Sequence, residues 1–298
     1  MKYRSLGKSG IQISEVGFGC MSLAPELGPA TALLHRALDH GITYFDTADL
    51  YQHGENEAVV GKALKGQRSH IVLATKVGNQ WRPDGSGWDW NPTKAYILAA
   101  VEQSLRRLQT DYLDLYQLHG GTLDDPIDEI IEAFEQLVQQ GKIRGYGISS
   151  IRPNVIREYA RRSHIISVMM QYSLLDRRPE ESCLGLLQEH QISVLARGTL
   201  AQGLLVTKPA APYLQHSAET VARASAAVQR LADTTISPVE IAAQYVLAQP
   251  AVTAAVLGIR MPEQLTDALR IANSRELTAA ELAELQAAAP ATAYEQHR

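Results

Sequence analysis

The 298-residue chain is 45% hydrophobic and 20% charged with a formal net charge of −4, the make-up of a globular protein with a large core. That balance gives no basic footprint for a nucleic-acid partner, and no apolar run reaches membrane-spanning length. Two cysteines far apart, Cys20 and Cys183, form no disulfide framework, and no Cys/His cluster has zinc-ligand spacing, so a metal-free chain is expected.

In chain order, the opening MKYRSLGKSGIQISEVGF lacks the apolar stretch of a signal peptide, which predicts a cytoplasmic protein. Gly7 and Gly10 lie there between short alternating pieces, as in a β-hairpin closing a barrel floor. Short apolar runs then recur at Val16–Gly19, Thr43–Asp46, Ile71–Lys76, Tyr112–Leu118, Gly145–Ser149, Val168–Tyr172, Val194–Arg197 and Ala254–Leu257. Segments with three- and four-residue apolar spacing separate them. The clearest helix has Ile130, Ile131, Phe134, Leu137 and Val138 on one face; Asp125 suits its N-cap, Pro126 its first position and Gly141 the position past its end. Ser237-Pro238 opens another. The wide gap before the last strand holds a Pro-containing stretch, Lys208 to Pro212, and an Ala-rich helix from Ala218 to Leu231. Eight strand–helix alternations predict a single-domain (β/α)8 TIM barrel over residues 1–298, with the hairpin at its start and the Ala-rich helix added between strands seven and eight.

Three strand-like runs end in polar residues that packing does not require: ITYFD at Asp46, HIVLATK at Lys76 and YLDLYQLH at His119, with Tyr51 five residues after Asp46. The carboxyl ends of barrel strands share one face, and active sites are built there. Singly, each residue has a duller role: a turn carboxylate, a solvated lysine, a strand-ending imidazole, a packing phenol. Together they can move a proton to or from a substrate oxygen. Carbonyl reduction puts negative charge on oxygen, and a free phenol, with a pKa of about 10, gives up its proton reluctantly. A neighbouring ammonium stabilises the phenolate, and a buried ammonium needs a carboxylate of its own.

DTADLYQHGENE (Asp46 to Glu57), the Lys76 ending VLATK and the His119 ending DLYQLH resemble the signature segments of the aldo-keto reductases. The resemblance extends to GIRMPEQL near the C-terminus and so covers nearly the whole chain. It implies a (β/α)8 barrel that reduces aldehydes or ketones with NADPH and has no Rossmann domain. GFGCMS indeed lacks the third glycine of a dinucleotide fingerprint. The resemblance further implies Tyr51 as general acid, Lys76 as its tuner, Asp46 as the partner of Lys76, and His119 as the group orienting the substrate.

Cofactor contacts implied in the same way begin at Gly19, Cys20, Met21 and Asp46. Ser149, Ser150 and Gln171 fall at the carboxamide-binding places, with Ser150 where many relatives have Asn, and Tyr172 would pack near the nicotinamide ring. ARGTLAQGLL matches the pyrophosphate-wrapping segment and contributes Arg197, a departure from the usual residue, with Gly198, Leu200, Gln202 and Gly203; Lys208 follows. Gly258, Arg260 and Gln264 fall at the adenosine-phosphate end, and Asp267-Ala268 stand where relatives often have Glu-Asn.

The loop Asn79 to Pro92 holds all three tryptophans, Trp81, Trp88 and Trp90, which would wall a pocket for a small carbonyl substrate beside Tyr51 and His119. Two other classes stay open: a cofactor-binding regulatory subunit, and a Schiff-base aldolase using Lys76 as nucleophile. The substrate itself and the oligomeric state are not legible.

Overall fold

Each predicted apolar run becomes a strand, and the computed structural model, which describes residues 1–298, joins eight of them edge to edge into a closed barrel. In chain order, the hairpin β1 (Tyr3–Ser5) and β2 (Gln12–Ser14) precedes β3 (Val16–Gly19), α1 (Leu27–Asp39), β4 (Tyr44–Asp46), α2 (Glu55–Ala63) and β5 (Val72–Val77). A second antiparallel hairpin follows, β6 (Asn79–Trp81) and β7 (Trp88–Trp90). Next come α3 (Lys94–Leu108), β8 (Leu115–Leu118), α4 (Ile127–Gln139), β9 (Tyr146–Ser149), α5 (Pro153–Arg162), β10 (Ser167–Gln171) and α6 (Cys183–Glu189). The chain closes with β11 (Ser193–Arg197), α7 (Ala218–Leu231), α8 (Pro238–Leu247), β12 (Val252–Gly258), α9 (Pro262–Ile271) and α10 (Ala279–Ala288).

The barrel order is β3-β4-β5-β8-β9-β10-β11-β12, with β12 pairing β3 to close it. Inside, Tyr44, Val72, Ala74, Leu115, Met169, Leu195, Ala254 and Val256 pack together, and Leu6 and Ile13 of the first hairpin plug them from below. The Gly7 N–H donates to Ser193 Oγ at 2.7 Å, fixing that plug beneath β11. Gly17 has a steric reason here: a Cβ would lie 2.7 Å from the Tyr44 ring that fills the barrel. A larger core lies between the barrel and its helices.

The added helix α7 begins and ends where the Ala-rich pattern does, and its Arg230 pairs with Glu284 of α10 at 2.9 Å. The start of α8 carries a reciprocal capping box between Ser237 and Glu240, with Pro238 at its first turn. Asp125 differs from expectation. It does not cap α4; its carboxylate accepts from the Thr122 N–H and from the Trp90 indole, because the loop above the barrel offers it better donors than the helix end does. The β6–β7 hairpin stands where the sequence predicts a loop, and α10 has no counterpart among the predicted elements. No helix is long and apolar enough to cross a membrane.

Candidate active site

Parallel register assembles the polar quartet. Tyr44 and Asp46 occupy alternate, inward positions of β4, as do Ala74 and Lys76 on β5 and Leu115 and Gln117 on β8. Pairing of Asp46 with Ala74 and of Lys76 with Gln117 sets the polar members just above the apolar plug. The Lys76 ammonium is ion-paired with Asp46, donates to the Thr47 carbonyl at 2.7 Å and lies 3.4 Å from the Tyr51 hydroxyl. The second Asp46 oxygen accepts from Gln117 Nε2 at 3.1 Å and from the Tyr44 hydroxyl at 3.3 Å. Burial pulls Lys76 toward the neutral form, but Asp46 and Tyr51 outweigh it and hold the ammonium above its ordinary value.

Tyr51 sits on a turn that the surrounding elements hold open. Gln52 and His53 both take left-handed backbone conformations (φ 50° and 55°), costing roughly 1–2 kcal/mol each. Trp81 offsets this strain by stacking on His53 with ring centroids 3.6 Å apart and donating its indole N–H to Leu50 O at 3.1 Å. From below, Arg107 pairs with the buried Glu57, whose other oxygen accepts from Thr75. Trp81 therefore braces the tyrosine turn, while Trp88 and Trp90 line the open pocket.

His119 directly follows β8, with its N–H on Val77 O at 2.7 Å and its carbonyl accepting from Asn79 Nδ2 at 3.2 Å. Its ring meets Tyr51 edge-on at 6.0 Å, and Nδ1 is buried with no protein partner. Burial, helped by Lys76 and Arg197, pushes the imidazole down to about 3, so it is neutral at physiological pH. Unfolded, the same group takes its proton near pH 6.5. Folding stability is therefore lost as pH falls from about 6.5 toward 3. His119→Asn is expected to remove on the order of 1 kcal/mol of the stability change between pH 7 and pH 5, checked by thermal melts of both proteins at the two pH values.

The pocket beside His119 has a volume of about 380 Å³ and includes Trp88, Trp90, Ser149 and Arg197. Gln171 ends β10 and donates to the Tyr213 hydroxyl at 2.8 Å, with Arg197 3.4 Å from its Oε1. Ser150 is buried and its Oγ accepts from the Arg152 N–H at 3.2 Å. Tyr172 is not brought to the mouth. It is fully buried outside the barrel, donates to Glu180 at 2.8 Å and packs against Tyr245, so packing on a nicotinamide ring is closed to it. One residue past an inward Gln171, the alternation of a strand turns its ring the other way.

Along the rim, Met21 is exposed and Cys20 buried beside Asp46, its thiol pushed up by burial. Gly198 is left-handed (φ 73°), and a Cβ there would press on Gln171. Gln202, Lys208, Gly258 and Arg260 are exposed, and Leu200 and Gly203 half-buried. Arg197, Lys208 and Arg260 have no acidic partner, and the Arg260 backbone N–H is held by Gln264 Oε1 at 2.9 Å. Asp267 lies one turn from Gln264 on α9, its carboxyl raised by burial, while Ala268 faces the core. Unpaired cations following β11 and β12 suit a polyanion, the property a phosphate-bearing nicotinamide cofactor requires.

Gln117 and Tyr44 were missed as supports of Asp46. Both carry a signal: a polar residue, or a hydroxyl, two positions from an inward neighbour on a strand that ends in the site.

A parallel barrel with a tyrosine, a carboxylate-paired lysine and a neutral imidazole at its strand ends brings together groups able to pass a proton to or from an oxygen. The sequence pattern of the Aldo/keto reductase family matches residues 15–290. "Uncharacterized oxidoreductase YqkF" of Bacillus subtilis is 52% identical across the whole of both chains. "Aldo-keto reductase yakc [NADP(+)]" of Schizosaccharomyces pombe is 35% identical over 65% of this chain and 60% of its own. The solved holo form of "aldo-keto reductase AKR11C1 from Bacillus halodurans" superposes with a TM-score of 0.94 at 51% identity, covering 100% of this chain and 99% of that one. The chain belongs to the aldo/keto reductase family.

Proposed function

We propose that the protein reduces aldehydes or ketones to alcohols with NADPH, acting as one domain. The observation that carries this is the Tyr51 hydroxyl 3.4 Å from an ammonium that is itself ion-paired with Asp46. The bound cofactor would supply the hydride. Tyr51 gives its proton to the carbonyl oxygen, Lys76 stabilises the phenolate left behind, and Asp46 keeps Lys76 charged in a buried place. Neutral His119 directs the oxygen toward Tyr51. Ser149, Ser150, Gln171 and Arg197 would hold the nicotinamide end, and Gly258, Arg260, Gln264 and Asp267 the adenosine end. An ammonium held protonated is a poor nucleophile, which argues against a Schiff-base aldolase. Purified protein is expected to consume NADPH with members of a panel of aldehydes, dicarbonyls and ketones and to release the alcohol. No consumption with any of them would leave the regulatory-subunit reading in its place.

NADPH is expected to be preferred over NADH through Arg260. The extra phosphate is a dianion, and a guanidinium without an acidic partner can meet it with two hydrogen bonds. Such a charge-assisted contact, taken as a whole, is worth about 1.5–3 kcal/mol net. Arg260→Ala should weaken NADPH by roughly 10- to 150-fold and leave NADH nearly unchanged. Titration by tryptophan fluorescence checks it; equal losses for both cofactors would remove Arg260 from the phosphate site. The fission-yeast relative's name, which carries NADP(+), points the same way.

A further inference from the structure

We propose that the pocket beside His119 selects carbonyl compounds that carry a carboxylate, with Arg152 binding that carboxylate; this rests on the carbonyl-reductase reading above. Two guanidinium groups, Arg152 and Arg197, line the pocket and no acid does. Arg197 borders Gln171 and so falls to the cofactor side. Arg152 follows the end of β9 by three residues, and its Nη1 is pinned to Gly121 O at 2.9 Å. That contact fixes the side chain while leaving its charge without a counter-ion.

The surrounding acids are committed elsewhere. Asp125 accepts from Trp90 and Thr122, and Glu295, in the neighbouring hollow that Arg152 also borders, accepts from Gln215 at 2.9 Å. A half-buried guanidinium with no carboxylate of its own gains most from one brought by a ligand, because planar bidentate pairing is the strongest contact it can make. Trp88, Trp90 and Ile151 give the rest of the pocket an apolar wall, and about 380 Å³ admits a short or single-ring body between carbonyl and carboxylate. The carbonyl at Tyr51 and the anion at Arg152 would then be the two fixed ends of the substrate.

The test compares 4-carboxybenzaldehyde with its methyl ester, which keeps the ring but not the charge; the ester is the more electron-withdrawing, so a preference for the acid cannot come from intrinsic carbonyl reactivity. Wild type is expected to favour the acid in kcat/KM by roughly tenfold or more, and the preference should shrink with added salt. Arg152→Gln should lower kcat/KM for the acid by roughly 10- to 100-fold, through KM, with the ester almost unaffected. Arg152→Lys should keep part of the preference, since the charge remains. Equal turnover of acid and ester by wild type, or equal losses of both in Arg152→Gln, would overturn the proposal, the latter marking a purely structural role through Gly121. If neither aldehyde is turned over, the reductase reading has failed rather than this one. Binding of benzoate, read by quenching of tryptophan fluorescence in wild type and lost in Arg152→Gln, then supports the anion site, and absence of binding overturns it.

Discussion

Tyr51→Phe is expected to lower carbonyl turnover by roughly 10²–10⁴-fold, the usual contribution of a positioned general acid. The phenyl ring preserves the shape of the turn, and the hydroxyl makes no hydrogen bond other than that to Lys76. Lys76 keeps Asp46 and the Thr47 carbonyl, so neither stability nor cofactor affinity should move much. Steady-state and single-turnover rates with NADPH and one aldehyde check this, alongside a thermal melt. A variant retaining more than a tenth of wild-type turnover, with chemistry rate-limiting, would show that Tyr51 is not the acid.

Lys76→Met is expected to damage both activity and fold. Without the ammonium, the phenolate formed at Tyr51 loses its stabilising charge, and turnover should drop by about 10²-fold or more. Asp46 would keep two neutral donors, Gln117 and Tyr44, yet lose its counter-ion in a site only 4% exposed. Breaking a buried pair from one side costs about 3 kcal/mol or more, which for a chain of this size lowers Tm by about 5 °C or more. Asp46→Asn combined with Lys76→Met should recover much of that stability but none of the activity, since the orphaned charge is gone while the ammonium is still missing. Melting curves and NADPH-linked rates for the single and double variants decide it. Normal activity in Lys76→Met would sink the four-residue arrangement.

Much of this was legible from local pattern. Apolar runs ending in Asp46, Lys76 and His119 marked strands and their shared face, because strand direction and the carboxyl-end rule follow from short-range regularities. The helix α7 was read to its ends from composition, and Ser237 with Pro238 marked the start of α8. Sequence order also brought Tyr51 near Asp46, only five residues away.

Cross-strand and inter-element contacts were not legible, since they depend on register and on which face each residue takes. Gln117 meets Asp46 only because β5 and β8 pair Lys76 with Gln117. Tyr172 looked like a neighbour of Gln171 at the mouth, but strand alternation sends it outward to Glu180 and Tyr245. Asp125 looked like a helix cap, yet the folded loop offered it an indole and a backbone amide from the opposite side. The three tryptophans divide by their neighbours rather than by face: β6–β7 register pairs Trp81 with Trp88 and puts all three on one side of the hairpin, where Trp81 meets His53 and Leu50 of the tyrosine turn while Trp88 and Trp90 border the pocket. Sequence by itself determined the barrel, the strand ends and the residues placed there, because periodicity and chain direction are written locally. Tertiary structure alone decided the supports around the polar quartet, Gln117 and Tyr44 on Asp46 and Trp81 on the tyrosine turn, and turned Tyr172 away from it, because those contacts depend on register and facing between separate segments.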